Sequence, residues 1–294
     1  MTNTIESRFA EAHQLRTHYL CGGKGEPLVL LHGWPEWSHA WRPVICRLAD
    51  RFALYAPDFR GFGETQKSSI DSTAGVTPEQ LGADVLAFAD ALGLRRFGLV
   101  SHDLGSVVAQ VVARRAPQRV RGLFFFNLNY PGIGARWIFP DHIRETWYQY
   151  FHQMPWAAEL VGFSRETCKI YLSALLNHWA HRKEVFAGDE LDIWIDNLMR
   201  PGNLQGGFDW YRSVHAARMA AVRGEVSALP PIELPTRVLW GAHDPVLKAE
   251  WVDRLPEYFT RLECSLAQEA GHFVHLEAPD LAATEMGRFF TAIP

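Results

Sequence analysis

The chain contains short runs in which almost every residue is apolar, and each run is followed by a turn and then by a stretch with helical spacing. The runs are 27–33 (PLVLLHG), 52–58 (FALYAPD), 97–103 (FGLVSHD), 120–127 (VRGLFFFN) and 236–244 (TRVLWGAHD). A strand with one face in water alternates apolar and polar residues, whereas a strand covered on both faces is apolar throughout. The pattern therefore predicts an α/β fold with a mostly parallel sheet flanked by helices.

The two ends of the chain extend this sheet. RFAEA (8–12) and LRTHYLC (15–21) have the pattern of an antiparallel hairpin that enters the sheet, and RLECSLAQ (261–268) is predicted to be its last strand.

The region between 128 and 232 has a different pattern. It is rich in Trp, Tyr and His, contains the helical periods ETCKIYLSALLNHWAHR and DELDIWIDNLM, and offers no apolar strand. It is bounded by YPGIG and by SALPPIELP, where the prolines exclude helix. We therefore predict a core domain of residues 1–127 and 233–294 with a helical cap of residues 128–232. A cap over the C-terminal edge of the sheet would cover the place where open α/β sheets bind ligands.

Composition and charge exclude several classes of function. The 294 residues carry a net charge of −4, and the basic residues are scattered, so nucleic acid is not an expected partner. The four cysteines lie far apart and form neither a zinc spacing nor a disulfide framework. The segment MTNTIESRFAEA lacks the pattern of a signal peptide, and no apolar stretch reaches about 18 residues. We expect a cytoplasmic protein without a membrane partner.

The stretch SHDLG places Ser101, Asp103 and Gly105 at alternate positions of a strand-to-helix junction. This is the arrangement of a nucleophile elbow, in which small neighbours allow a tight, strained turn, and Asp103 stands where serine is usual. Aspartate is also a favoured helix N-cap, so SHDLG alone leaves both interpretations open.

Further polar residues follow other predicted strands. His32 and Gly33 follow the first parallel strand, Asp244 ends VLWGAHD, and His272 lies in EAGHFVHLEAP after the last strand. The Gly-flanked loop favours His272 over His275 as the reactive histidine. We expect structural roles for His102, which a nucleophile elbow would point away from the nucleophile, and for His243.

The motifs HGWP, SHDLG, GAHDP and GHFVHLE, with two tyrosines of the cap, resemble the epoxide hydrolases of the α/β-hydrolase superfamily over essentially the whole chain. The resemblance implies Asp103 as nucleophile and Asp244 and His272 as the acid and base of a catalytic triad. Tyr148, in WYQYFHQMP, and Tyr211, in FDWYRS, match the family's two tyrosines that donate hydrogen bonds to the epoxide oxygen. Asp209 replaces the usual asparagine of the second motif, and Tyr150 is the weaker candidate because it cannot share a helical face with Tyr148.

The resemblance also implies a two-step reaction in which an ester on Asp103 is hydrolysed by water to give a vicinal diol. The N–H groups of Trp34 and Leu104 are the expected oxyanion hole. Further candidates for substrate binding are His32, Pro35, Gln149 and Trp210. The expected partners are a small apolar epoxide and water, with no metal or organic cofactor, because the chain has no metal-spaced cluster and no GxGxxG loop. A homodimer is left open.

Three alternatives remain at this point. Haloalkane or haloacetate dehalogenases use the same nucleophile, but their halide-binding Trp and Asn fall at Leu104 and Trp34, and the arginines that clamp a haloacetate fall at Leu104 and Val107. A serine esterase would need Ser101 or Ser106, which flank the elbow tip instead of occupying it. A non-catalytic ligand-binding member of the fold would have no need of the full set of reactive residues.

Overall fold

The computed structural model describes residues 4–67, 76–225 and 229–294, and within them eight strands form one sheet. The strands are β1 (Glu6–Ala12), β2 (Leu15–Gly22), β3 (Glu26–Leu31), β4 (Phe52–Pro57), β5 (Phe97–Asp103), β6 (Val120–Leu128), β7 (Thr236–Gly241) and β8 (Leu262–Ala267). Their order is β1-β2-β4-β3-β5-β6-β7-β8. The pairs β1–β2 and β2–β4 are antiparallel and the others are parallel, so the predicted fold class is confirmed.

Helices cover both faces of the sheet, which explains why its central strands are apolar throughout. The core helices are α1 (Arg42–Leu48), α2 (Pro78–Ala91) and α3 (Leu104–Arg115). In β3, Val29 and Leu31 belong to the same apolar cluster as α2 and α3, whereas Leu28 and Leu30 pack in the cluster of α1 and of the C-terminal helix.

The segment between β6 and β7 contains helices and, in its described part, no named strand. After a 3-10 helix at Pro131–Ile138 come α4 (Trp147–Phe151), α5 (Ala157–Val161), α6 (Arg165–Trp179), α7 (Asp189–Leu198) and α8 (Asn203–Val222). We call this segment the helical insertion. Ser227 and Ala228, at the start of the proline-rich boundary, lie outside the described residues. The chain ends with α9 (Val274–Glu277) and α10 (Pro279–Ala292).

The helical insertion and the sheet share one apolar cluster. Trp179 and Trp194 of the insertion pack there with Trp34, Trp37 and Phe273 of the strand-end loops. The insertion is therefore docked on the carboxyl ends of the parallel strands. None of the helices in the described ranges has both the length and the hydropathy that crossing a membrane requires.

Candidate active site

The chain turns sharply between β5 and α3, and Asp103 occupies the turn. Its φ of 47° lies in the left-handed region, which is sparsely populated by residues other than glycine. A Cβ on Gly105 would come within 2.6 Å of the Leu31 and His32 carbonyl oxygens, so the turn passes too close to β3 for any side chain there. Asp103 makes no capping hydrogen bond to α3. The geometry is that of an elbow and does not support the N-cap interpretation.

The HGWP loop crosses directly over this elbow. A Cβ on Gly33 would come within 2.7 Å of the Asp103 Cβ, and the Trp34 N–H donates to Asp103 Oδ1 at 3.1 Å. Leu104, the other expected oxyanion donor, is the first residue of α3, where backbone N–H groups lack partners within the helix. Of the two predicted donors, the Trp34 N–H therefore binds the Asp103 carboxylate, and the Leu104 N–H belongs to the next residue in the chain.

Asp244 and His272 form a buried pair beside the elbow, in loops that follow β7 and β8. His272 Nδ1 donates to Asp244 Oδ2 at 2.7 Å. The other oxygen, Oδ1, accepts the N–H groups of Val246 at 2.8 Å and Leu247 at 2.9 Å. Asn127, at the end of β6, donates to Oδ2 at 2.5 Å. Burial acts to raise the pKa of Asp244, but His272 and these donors lower it below its ordinary value.

The charge of Asp244 in turn determines the protonation of His272. Burial acts to lower the pKa of His272, but Asp244, with smaller contributions from Asp103 and Glu36, raises it to about 9. His272 therefore carries a proton at neutral pH while Asp244 is ionised. Its Nδ1 is occupied by Asp244, which leaves Nε2 as the nitrogen available to a ligand or water.

A second buried network links the loops around the site. His102 Nδ1 lies 2.8 Å from Glu36 Oε2, and His102 Nε2 donates to the His272 carbonyl at 2.9 Å. Glu36 Oε2 also accepts the Gly33 N–H at 2.6 Å, and Glu36 Oε1 lies 2.9 Å from His275 Nε2. His102 thus connects the elbow, the HGWP loop and the His272 loop, as expected for a structural histidine.

Tyr148 of α4 and Tyr211 of α8 meet above this arrangement. They are only 3% and 5% exposed, and their ring centroids lie 5.6 Å apart. The Trp34 ring lies 5.8 Å from each, so the residue that binds Asp103 through its N–H also contacts both phenols. Burial and the charge of Asp103 raise the pKa of Tyr148, and burial with Tyr148 and Asp103 raises that of Tyr211. Both phenols therefore stay protonated at neutral pH.

The other residues that the sequence suggested for the site lie in different places. Gln149 donates to Tyr148 Oη at 3.0 Å. Trp210 lines a cavity of about 320 Å³ between α3 and α8. Pro35 is buried after a cis peptide bond, and Tyr150 is 37% exposed, away from the other tyrosines.

For His32 the structure requires a correction. It is fully buried, its Nδ1 donates to the Gly33 carbonyl at 2.8 Å, and its Nε2 accepts the Phe59 N–H at 3.0 Å. Because backbone groups occupy both ring nitrogens, the imidazole has no polar atom left for a substrate. The prediction that His32 binds substrate is not supported, and the ring acts as a brace for the HGWP loop.

Four residues of the site escaped the sequence analysis: Asn127, Glu36, Glu277 and Arg218. Asn127 could have been noticed as the polar end of the apolar run FFFN. The Glu277 carboxylate accepts four backbone N–H groups, two from the His272 loop and two from the chain after α6. Arg218 donates to the Gln149 side chain. No local pattern distinguishes Glu277 or Arg218 from surface charges, because their partners lie far away in the chain.

Comparisons with known proteins identify the family of the chain. A family model described as the alpha/beta hydrolase fold matches residues 26–279. The soluble epoxide hydrolase of Corynebacterium sp. (strain C12) is 27% identical over 100% of both chains. Haloalkane dehalogenase 2 of Mycobacterium tuberculosis (strain ATCC 25618 / H37Rv) is 28% identical over 97% of this chain and 95% of its own.

The solved structure of the epoxide hydrolase CorEH without ligand superposes with a TM-score of 0.83. It is 26% identical and covers 98% of this chain and 99% of its own. The match of the family model over most of the chain is the decisive finding. The chain is a member of the alpha/beta hydrolase fold family, which confirms the predicted fold and the predicted hydrolase class.

Proposed function

We propose that this hydrolase opens epoxides to vicinal diols through an ester on Asp103. The observation that carries the proposal is the meeting of two buried, protonated phenols, Tyr148 and Tyr211, with the Asp103 carboxylate around one residue, Trp34. We further propose that residues 128–232 act as the cap of a core made of residues 1–127 and 233–294.

In the first step an oxygen of Asp103 attacks one epoxide carbon, and the ring C–O bond breaks. An ionised carboxylate needs no proton removed before it attacks, which suits it to a strained ring. The leaving alkoxide remains attached to the substrate and takes a proton from a phenol. A tyrosine whose pKa is raised by burial holds that proton at neutral pH until the oxygen becomes basic.

In the second step His272 acts as a base on water. The phenolate left by the first step is a stronger base than the imidazole, so it takes the proton of His272, and loss of the Asp103 charge, one of the smaller contributions to the raised pKa of His272, acts in the same direction. That proton balances the one the phenol gave up. Water then attacks the ester carbonyl while His272 takes one of its protons. The bond between the carbonyl carbon and the substrate oxygen breaks, that oxygen takes the second proton of the water, and the diol leaves while Asp103 is regenerated as a carboxylate. Trp34 N–H and Leu104 N–H stabilise the oxyanion in between.

A cavity next to the proposed site, whose lining does not include Asp103, Tyr148 or Tyr211, favours an apolar substituent on the substrate. It has a volume of about 320 Å³ and is lined by side chains of α3, α8 and the 3-10 helix after β6, among them Val107, Trp137, Trp210 and Val214. Pockets of this kind bind ligands through apolar area and use a few polar groups for orientation. An epoxide with an aryl or alkyl substituent fits that description.

Dehalogenation is the second candidate, because the relative from Mycobacterium tuberculosis carries that activity in its name and needs the same kind of nucleophile. A halide leaving group requires N–H donors and no acid. Protonated phenols beside Asp103 serve an oxygen leaving group better than a halide, so the epoxide reaction is the stronger proposal.

A substrate panel tests this choice. The purified protein is incubated separately with styrene oxide, a bromoalkane, fluoroacetate and a p-nitrophenyl ester, and diol, halide and nitrophenol are measured. We expect diol from styrene oxide and no comparable release from the other three. Halide release faster than diol formation would replace the proposal by the dehalogenase.

The covalent step has its own test. After many turnovers in H₂¹⁸O, the peptide that contains Asp103 should carry ¹⁸O in its carboxylate, because water attacks the ester carbonyl. Label found only in the diol would mean that water attacks the epoxide directly.

A further inference from the structure

Arg218, on α8, extends a side chain to the rim of the proposed site without an acidic partner in the described residues. It donates to Gln149 Oε1, and its guanidinium lies over the Trp137 ring at 4.8 Å from the centroid. A half-buried cation with no carboxylate partner is unusual, because removing a charge from water costs free energy that an ion pair commonly offsets. The contact with Gln149 therefore calls for a functional explanation.

The contact determines which way the Gln149 amide faces. A guanidinium only donates hydrogen bonds, so the amide oxygen must face Arg218 and the NH₂ group must face Tyr148. Gln149 Nε2 lies 3.0 Å from Tyr148 Oη. The phenol oxygen is consequently an acceptor in this contact. No described residue accepts its proton, which is left for a ligand.

We propose that Arg218 is a positioning residue that acts through Gln149 to make Tyr148 the principal proton donor of the site. This inference rests on the proposed epoxide hydrolysis. As the phenol passes its proton to the epoxide oxygen, negative charge grows on Tyr148 Oη. The amide N–H, polarised by the cation behind it, stabilises that charge, as preorganised donors do where charge develops.

The second phenol lacks this support. Within the described ranges, the Tyr211 hydroxyl has no hydrogen-bond partner among the side chains and backbone groups around it. Gln149 and the charge of Arg218 both act to lower the pKa of Tyr148, opposing burial and Asp103, whereas for Tyr211 the lowering influence is the charge of Arg218, which interacts less strongly with it than with Tyr148. The two tyrosines are thus unequal: Tyr148 donates the proton, and Tyr211 holds the epoxide oxygen in place.

The test uses a His272→Gln background, in which the ester should accumulate and appear as a mass increase equal to that of styrene oxide. The rate of this increase is measured against substrate concentration, which separates the limiting rate from the half-saturating concentration. Arg218→Met removes the donors and the charge while keeping an unbranched stem. We expect its limiting rate to fall roughly ten- to hundredfold, the range for losing a hydrogen bond to a charged group, with little change in half-saturation.

Two further variants test the direction of the hydrogen bond. Arg218→Lys keeps the charge and a donor and should recover part of the rate. Gln149→Glu keeps the contact with Arg218 as an ion pair but offers Tyr148 only acceptor oxygens, so it draws the phenol proton away from the substrate. Its limiting rate should fall at least as far as that of Arg218→Met. Arg223→Met, at the exposed end of the same helix and paired with Glu225, is the matched control and should keep the parent rate.

The outcomes are separable. If the parent itself shows no mass increase, the proposed function fails. If the parent forms the ester and a folded Arg218→Met does so equally fast, or if only half-saturation changes, the role of Arg218 is refuted. If Arg218→Met does not fold by circular dichroism, Gln149→Glu decides: a parent-like limiting rate overturns the inference, and a reduced rate supports it.

Discussion

The two halves of the site are held in place by different forces. In the strand-end half, backbone N–H groups hold the carboxylates: Trp34 N–H binds Asp103, and the N–H groups of Val246 and Leu247 bind Asp244. In the helical insertion, ring packing holds Tyr148 and Tyr211, whose centroids lie 5.6 Å apart. Backbone hydrogen bonds are directional, whereas ring packing tolerates small shifts.

This difference teaches where precision is needed. A nucleophile and a base must meet one carbon and one water at bonding distance, so their loops are tied by hydrogen bonds to a rigid sheet. In the proposed reaction the phenols follow an oxygen that moves as the epoxide ring opens, and a packed aromatic surface accommodates that movement. Glu277 ties the two halves together by hydrogen bonds, because it accepts N–H groups from Gly271 and Phe273 on one side and from His181 and Arg182 on the other.

The largest effect is expected in the strand-end half from Asp103→Asn. The amide is nearly the same shape but is a poor nucleophile, so diol formation from styrene oxide should fall by roughly 10⁴-fold or more. Urea unfolding should show little loss of stability, since the Trp34 N–H still finds an oxygen. Substantial residual activity in a sample verified by mass spectrometry would remove Asp103 from the mechanism.

In the insertion half, Tyr148→Phe and Tyr211→Phe each remove one hydroxyl and leave the ring packing intact. We expect each single change to lower kcat roughly ten- to hundredfold, with the larger loss for Tyr148, and the double change to lower it by about 10³-fold. Steady-state diol formation is the measurement. Tyr150→Phe, on the exposed side of α4, is the control and should behave like the parent.

The junction between the halves is tested by Glu277→Gln. The amide presents NH₂ to backbone N–H donors in a fully buried position, so the free energy of unfolding should fall by about 3 kcal/mol. Urea denaturation gives this value. The control is Glu257→Gln, at an exposed pair with Arg254, where the change should stay within about 0.5 kcal/mol. Similar values for the two variants would show that Glu277 does not tie the insertion to the core.

The last effect concerns pH and the pair of His272 and Asp244, and it emerges only across a range of pH. The folded pKa of His272 is raised from 6.5 to about 9, so protonation stabilises the fold fully below pH 6.5, and this contribution disappears as the pH rises through 9. We expect the stability difference between the protein and its His272→Gln variant to shrink by about 3 kcal/mol between pH 6 and pH 9.5. Urea unfolding at several pH values measures it. A difference that grows over this range would mean that His272 is neutral in the folded protein.

The contrast between the strand-end half and the helical insertion also explains which features could be predicted from the sequence. The apolar run 97–103 became β5 with the same bounds, and the runs at 52–58 and 120–127 became strands that differ from them by one residue. The strand-end candidates Asp103, Asp244 and His272 lie together in the structure because the carboxyl ends of parallel strands share one edge. Tyr148 and Tyr211 were found only through the resemblance to a family, since nothing local distinguishes them from core aromatics.

The sequence by itself determined the elements, because an apolar period is written in neighbouring residues and needs no distant partner. Only the tertiary structure decided which polar side chains meet at the proposed site and which support the loops around it. His32 was expected at the substrate and is occupied by backbone, whereas Arg218 and Glu277 gained their roles from partners many residues away. Such contacts form when separate segments pack together, and that packing depends on the whole chain at once.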